Sequence, residues 1–492
     1  MLWRGVMHYS WLFVRSLRMA YIMYIEKQLE TIFENAGVII PALLLPDIKK
    51  CDYNKWSVVA CDQFTSQPAY WKYVEDYVGE APSSLRIVLP EIYLADNFPD
   101  RIESIHAKME EYLAGDVFME PYKGFILTER VFGAGEQAGA EKQVSASRWG
   151  LVLAIDLEKY SFEPNARTLI RSTEGTVRDR LPPRIEIRRG AALELPHVLL
   201  LANDEGRALI ETLANGAVDG LYKKAYDFDL MAEGGHIRGY RIDEQGLQIA
   251  AYAFETLLHK AKAASKDPMI FAVGDGNHSL AAAKVYWEEL KKTLSDDEAK
   301  ISPARYALVE LINLHSEGVK FEPIHRALFN AEPQTVIEEA QRYFKKRGVS
   351  ITTGTDNHDN EDQAPRVRQA RSLQKAGDAV RAYEFIMMYD GGKPAKLRIE
   401  QPESDIAVAE IQGFIDSLCA KFPEITVDYI HGEDELTRLA VEEGCFCFKV
   451  PPFDKSGFFP MIAAGGLLPR KAFSMGEARD KRYYFEARKL TP

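Results

Sequence analysis

The chain has 492 residues, 46% hydrophobic and 27% charged, so it can bury a sizeable core, and a mainly disordered chain is excluded. Lys and Arg number 61 against 73 Asp and Glu, a formal charge of −12, which argues against a protein that holds nucleic acid on a basic face. At roughly 150 residues per domain, the length implies about two to four domains.

Residues 1–24 mix Trp3, Trp11, Leu12, Phe13 and Val14 with Arg4, His8, Arg15 and Arg18. No run of 18 apolar residues occurs here or later, so no spanning helix is predicted. The clean apolar centre of a signal peptide is also lacking. The stretch reads as an N-terminal extension ahead of a start at Met19 or Met23, and the expected compartment is the cytoplasm.

Along the chain, helix-like and strand-like runs alternate. Trp56–Ala60 reads as a buried strand, and Pro68–Tyr77 as a helix opened by proline. Ile87–Leu89 is a further apolar run, and Ile102–Leu113 has helical spacing. Gly124–Leu127, Trp149–Ile155 and His197–Ala202 read as strands. Leu247–Ala264 reads as a helix, Met269–Val273 as a strand and Leu280–Leu290 as a helix. Helices follow at Gln334–Lys345 and Ile406–Cys419, with strands at Arg381–Tyr389 and Gly444–Val450. The mixed order predicts an α/β or α+β protein. From Thr352 to Asp378 the chain is polar and aperiodic, a surface excursion or linker. The expected division is the extension at 1–24, a catalytic α/β region at 25–330, and a second α/β region at 331–492 that completes the site.

Five cysteines, Cys51, Cys61, Cys419, Cys445 and Cys447, are an odd number in a long chain, which speaks against a disulfide scaffold. Cys445 and Cys447 share one side of an apolar run. A metal pair and two small buried hydrophobes are the readings, and the usual behaviour of cysteine favours the second.

The sharpest chemical signal runs Val273-Gly274-Asp275-Gly276-Asn277-His278-Ser279-Leu280. A buried strand enters a glycine-flanked turn and a helix follows, so amides and the helix dipole make an anion site. Asp275 is suited to a divalent metal or a hydroxyl, with Asn277, His278 and Ser279 beside it. The plain alternative is a strand-to-helix turn with Ser279 as N-cap. No GxxxxGK[ST] loop occurs.

A second signal is Arg171, Ser172, Thr173, Glu174 and Thr176, followed by Arg178, Arg180, Pro182, Pro183, Arg184 and Arg188. Arginine forks suit phosphate, and Glu174 is a candidate base. A charged proline loop is the other reading. Asp62, Gln63, Thr65 and Ser66 follow the Trp56–Ala60 run, where open sheets bind ligands; Thr65 or Ser66 capping the helix is the alternative. His236 and Arg238, between Gly234, Gly235 and Gly239, suit a phosphate or a hairpin turn equally. His315, Glu322 and His325 are candidate metal ligands without a metal-site spacing. Arg470, Lys471 and Ser474 suit the closing of a phosphate pocket or a solvated turn.

The blocks VVACDQFTSQPAYW, PSSLRIVLPE, LIRSTEGTV with RLPPR, ELPHVLLL, GGHIRGY, GDGNHSLAAAK, ARYALVELIN, FEPIHR, LPRKAFSMGEA and KRYYFEAR resemble a bacterial family catalogued as domain of unknown function ten-fifteen, from about Gly37 to Arg488. Its glycine-histidine block is similar to that of the ParB and sulfiredoxin-like fold, which includes kinases for free serine. The resemblance implies a phosphate-binding core of that kind within a larger mixed-sheet protein. The DGHHR-type motif of those relatives falls on Asp275, Gly276, Asn277, His278 and Ser279. Asn277 replaces a histidine and Ser279 an arginine, which makes pyrophosphate more plausible than a nucleotide as donor. The family also resembles pyrophosphate-dependent serine kinases. The expectation is therefore phosphorylation of L-serine to O-phosphoserine, with Mg²⁺ and no organic cofactor. Glu174 or Asp275 serves as base, and Arg171, His278, Arg470 and Lys471 supply positive charge. A homodimer is compatible with this reading, and neither nucleic acid nor membrane is an expected partner. The alternatives are a phosphoserine phosphatase, a ParB-like nucleotide-binding or DNA-partitioning protein, and a binding module without turnover.

Overall fold

The computed structural model describes residues 27–65, 67–115, 117–132, 147–355, 382–404, 406–442, 444–453, 455–469 and 471–491. The N-terminal extension, Ser66, Arg470 and most of the polar 352–378 stretch fall outside them. Two units form. One comprises Met1–Val319 with Glu477–Pro492, the other Lys320–Gly476. The division thus precedes the expected one after residue 330. The strand Glu322–Phe329 is paired on both sides within the second unit's sheet, so it cannot belong to the first.

The first unit is built on a ten-stranded sheet. Its strands are β1 (Val38–Ile39), β2 (Ile126–Val131), β3 (Ser147–Asp156), β4 (Tyr160–Ser161), β5 (Ile170–Arg171), β6 (Leu199–Ala202), β7 (Lys223–Asp229), β8 (His236–Arg241), β9 (Phe271–Asp275) and β10 (Tyr306–Asn313). They run β7-β8-β2-β3-β10-β6-β9-β5-β4, with β1 beside β3. The pairs β10/β6, β9/β5 and β5/β4 are parallel and the others antiparallel, so the sheet is mixed.

Apolar layers cover both faces, because side chains alternate along a strand. Leu151, Leu153 and Ile155 of β3 join one core, while Val152 joins the other. The unit's helices include α1 (Pro68–Val78), α2 (Phe98–Ala114), α3 (Leu181–Arg188), α4 (Ile210–Val218), α5 (Glu244–Ala264) and α6 (Asn277–Lys291). Phe254 of α5 and Trp287 of α6 pack into the first core. Trp71 of α1, Met109 of α2 and Phe485 of the C-terminal segment pack into the second. The helix starts follow local chemistry. Pro68 stands at the start of α1, and the Asp243 side chain caps α5 by accepting from Gly246 N at 2.9 Å.

The expected strand at Trp56–Ala60 does not form. The run is buried, but its one ladder contact is a bridge between Val59 and Arg482. Its main chain is satisfied by the C-terminal segment instead: Ala60 N donates to Lys481 O at 2.7 Å and Tyr483 N to Val58 O at 3.0 Å.

The second unit carries a seven-stranded antiparallel sheet. Its strands are β11 (Glu322–Phe329), β12 (Ser350–Thr355), β13 (Ala382–Tyr389), β14 (Lys393–Glu400), β15 (Thr426–His431), β16 (Phe446–Lys449) and β17 (Phe473–Ser474). The order is β12-β14-β13-β16-β11-β15, with β17 beside β11. Its helices include α7 (Pro333–Lys346), α8 (Ala407–Lys421) and α9 (Glu433–Glu442). Val336, Ala340 and Phe344 give α7 a buried stripe at helical spacing. Cys445 and Cys447 are buried, and burial pushes the Cys447 thiol up to about 12, as for small hydrophobes rather than metal ligands. Both units together make a mixed α/β protein with a large mixed sheet. Among the described residues no helix is long and apolar enough to cross a membrane.

Candidate functional site

The turn between β9 and α6 is shaped by two glycines. The register of β9 against β6 slips between Val273 and Asp275, so Gly274 is the extra residue of a bulge, which re-aims Asp275. Gly276 has φ +80, and a Cβ there would lie 2.4 Å from His197 O, so glycine is required. Gly276, not Ser279, is the N-cap of α6, and among the described residues no side chain caps the helix. The first turn is closed by Leu280 N donating to Gly276 O at 3.0 Å. The amides before Leu280 have no acceptor within the helix, which leaves a positive end beside Asp275.

The C-terminal segment brings a cation to this turn. Lys481 Nζ lies 3.0 Å from Asp275 Oδ2, and Asp275 Oδ1 accepts from Gly276 N at 2.8 Å. His197 donates from Nδ1 to Arg482 O at 2.8 Å, which turns Nε2 toward Asp275 Oδ2 at 3.4 Å. Burial would raise the Asp275 carboxyl, but Lys481 and His197 outweigh it and hold the group far below the usual carboxylate range. Burial works against the Lys481 charge, yet Asp275, then Asp62 and Glu174, make the ammonium hold its proton more firmly than usual. Three acids from three separate segments thus act on one lysine.

The loop after β5 packs against the same helix end. Asn277 Oδ1 accepts from Ser172 Oγ at 2.6 Å and from Thr173 N at 3.3 Å. Thr173 Oγ1 donates to Val273 O at 2.6 Å. His278 Nε2 accepts from Val177 N at 3.3 Å, so this nitrogen carries the lone pair. Asn277 and Thr173 are therefore clamps that hold loop and turn together. Glu174 is half-buried, and the Thr176 hydroxyl is buried with no hydrogen-bond partner among the described residues. Gln63 Nε2 donates to Asp62 Oδ1 at 2.8 Å, while Thr65 is exposed.

Other expected residues go elsewhere. The Arg171 guanidinium donates to the carbonyls of Thr168 (2.9 Å) and Asp267 (2.8 Å) and is 3% exposed, so it ties the loop's base rather than offering a phosphate fork. Three of the arginines beyond it sit on carboxylates: Arg178 on Glu163, Arg184 on Glu91 and Arg188 on Glu194. His236 is held at both ring nitrogens, by Asp229 and Asp227 at 2.6 Å each, and Arg238 by Glu129 at 2.9 Å. They form one charged hairpin network, and strand alternation puts them on the face opposite Ile237, whose side chain joins the core packed by the C-terminal segment. The trio His315, Glu322 and His325 is not gathered. His315 Nε2 lies 2.8 Å from Asn203 Oδ1, and buried His325 accepts from Val450 N at 3.1 Å. Among the described residues no group of three His, Cys, Asp or Glu is placed to hold a metal ion. Lys471 and Ser474 belong to the second unit, where Lys471 O accepts from Arg326 and Ser474 Oγ donates to Gly476 O at 2.8 Å.

His197 and Lys481 were not singled out from the sequence. His197 opens the apolar HVLLLA run and reads as the edge of a strand. Lys481 stands in a charged C-terminal stretch, and its pairing with Asp275 spans nearly half the chain.

No curated protein matches the chain. Among solved structures, a conserved hypothetical protein from Pyrococcus furiosus is 12% identical over 66% of this chain and 90% of that one, with a TM-score of 0.31. A free serine kinase in complex with AMP is 12% identical over 69% and 92%, with a TM-score of 0.34. A C-terminally truncated SbnI from Staphylococcus aureus is 10% identical over 66% and 83%, with a TM-score of 0.29. A family model described as a protein of unknown function (DUF1015) matches residues 45–418, and the chain belongs to that family.

Proposed function

We propose that the chain is a small-molecule phosphotransferase that converts L-serine to O-phosphoserine, with pyrophosphate as the favoured donor and ADP or ATP as the others. The observation that carries this reading is Lys481 on Asp275 at the open N-terminal end of α6. Phosphoryl transfer is chiefly positioning and charge stabilisation, and this turn offers both. The helix amides and the two remaining ammonium donors of Lys481 take the donor's phosphate oxygens. Asp275 anchors the lysine, and its depressed carboxyl is a poor proton acceptor. Glu174, beside the same lysine, is left as the base. The serine oxygen attacks the donor's terminal phosphorus, the new O–P bond forms as the bond to the leaving phosphate breaks, and the hydroxyl proton passes to Glu174. The choice of serine follows from the family resemblance of the sequence blocks.

A Mg²⁺ ion takes most of its oxygens from the donor's phosphates and from water, with one or two protein carboxylates. Asp275, whose oxygens already meet Gly276 N, His197 and Lys481, would hold such an ion only by sharing those oxygens, with Asp62 as the other acid that acts on Lys481, and the ion would supply neutralisation of phosphate charge.

Phosphorus NMR on the purified protein with L-serine and Mg²⁺, in separate tubes with pyrophosphate, ADP and ATP, tests the reading. A new O-phosphoserine signal with one donor is expected and names that donor. Silence in all three tubes, with release of phosphate from O-phosphoserine, would replace the kinase by a phosphatase.

A further inference from the structure

Of the three acids that act on Lys481, one is uncommitted. The Asp275 oxygens meet Gly276 N, His197 and Lys481. Glu174 is the base of the proposed reaction. Asp62 is exposed, and among the described residues its carboxylate meets a single hydrogen-bond donor, Gln63 Nε2 on Oδ1, so Oδ2 has no partner. A bare carboxylate beside a phosphate-binding turn repels the donor, so its place there calls for a cation.

One arginine beside the turn is equally uncommitted. The helix α3 follows the loop of Glu174 and packs Leu181 and Ile185 on Ala281 and Ala282 of α6. Arg180, its N-cap residue, is exposed, and among the described residues its guanidinium has neither an ion pair nor a hydrogen bond. Arg184, one turn further on, is engaged: Nη1 donates to Arg180 O at 3.0 Å and Nη2 to Glu91. Glu91 N in turn donates to Cys61 O at 2.8 Å. These contacts bridge the start of α3 to the residue before Asp62, and the charge of Asp62 bears on Arg184 as well as on Lys481. Arg180 is also tied to the catalytic turn, since its N donates to Val177 O at 3.0 Å and Val177 N donates to His278 Nε2 at 3.3 Å. An open acid and an open arginine thus border the Lys481 turn, joined through the Arg184–Glu91 pair.

An amino-acid zwitterion needs both. Its ammonium bonds best to a carboxylate, and its carboxylate matches the planar fork of an arginine. We propose that Asp62 Oδ2 takes the α-ammonium of serine and Arg180 its α-carboxylate, which makes these two residues the specificity determinants for an α-amino acid. The inference rests on the phosphotransferase reading for its substrate. It leaves the donor's phosphates to Lys481 and the helix amides, and turns Asp62 toward the acceptor rather than toward Mg²⁺.

Ligand-observed proton NMR titrations of the full-length protein, which read weak binding, test this with Mg²⁺ and imidodiphosphate, a pyrophosphate analogue with a P–N–P bridge, present throughout. The probes are L-serine, 3-hydroxypropionate, which lacks the ammonium, and ethanolamine, which lacks the carboxylate. Asp62→Asn is expected to weaken L-serine by about 10–100-fold and to leave 3-hydroxypropionate within about twofold. Arg180→Gln is expected to weaken L-serine by about the same factor and to leave ethanolamine within about twofold. Because each variant is compared across two ligands, a general loss of folded protein would not reproduce this pattern. L-serine binding unchanged in either variant would overturn the inference, and so would an equal loss of L-serine and 3-hydroxypropionate in Asp62→Asn, the result for a metal ligand. In both cases O-phosphoserine formation by the unaltered protein would still uphold the kinase. No L-serine binding by the unaltered protein would end both readings.

Discussion

Two glycine-flanked histidine stretches of the first unit look alike on paper and end differently. In the β7–β8 hairpin, His236 and Arg238 find Asp227, Asp229 and Glu129 on the two adjacent strands, so the charges are balanced locally. At the β9–α6 turn, Asp275 is balanced by Lys481 from the far end of the chain, and a helix end stays open next to it. Glycine and histidine supply a permissive backbone and a polar ring in both. What separates them is whether the complementary charge is local or delivered by a distant segment.

The widest separation is expected from Glu174→Gln. If Glu174 accepts the serine proton, kcat falls by about 10²–10⁴-fold with KM nearly unchanged. Full activity in steady-state kinetics would remove Glu174 from the mechanism. Lys481→Met is next, with an expected loss of about 10²–10³-fold in kcat, as for removal of one fixed charge donor to the reacting group. If its activity stayed within twofold of the unaltered protein, the turn would lose its claim to be the site.

A third test uses pH. The Asp275 carboxyl is depressed in the folded state, so it contributes stability that is complete above its unfolded pKa of about 3.9 and is lost as pH falls below that value. The drop in Tm between about pH 6 and about pH 3 is expected to be smaller in Asp275→Asn than in the unaltered protein. An equal drop would mean that Lys481 and His197 do not act on this carboxyl. The smallest effect is expected at the hairpin. His236→Gln with Arg238→Gln should leave activity within about twofold and cost at most about 1 kcal/mol in chemical denaturation, the usual range for part-exposed ion pairs. A large loss of activity there would erase the distinction between the two stretches.

Much of the fold was legible because it rests on local periodicity. The expected helix Pro68–Tyr77 is α1 to within a residue, and Leu247–Ala264 is α5 without its capped first turn. The strands at Trp149–Ile155 and Arg381–Tyr389 match β3 and β13 closely for the same reason. Trp56–Ala60 misled because apolar burial without ladder partners has the composition of a strand. Within the site, Asp275, Gly276 and Glu174 stood out by their local chemistry, and Asp62 by following a buried run. Lys481 and His197 did not, because each owes its place to main-chain bonds formed across long stretches of sequence, such as His197 Nδ1 to Arg482 O. Arg171 was misjudged for a related reason. A buried guanidinium takes whatever carbonyls surround it, and those are not readable from composition.

The return of Glu477–Pro492 to the first unit sets a schedule for biosynthesis. Synthesis proceeds from the N-terminus at about 5–20 residues per second. Asp275 and α6 therefore leave the ribosome long before Lys481, with the whole of Lys320–Gly476 made in between. The turn waits through that interval with Lys481 missing from its acid and the main-chain groups of Val58 and Ala60 without their partners in the C-terminal segment. The last residues to emerge finish the machinery, so a nascent or prematurely terminated chain carries every part of the turn and still lacks its cation.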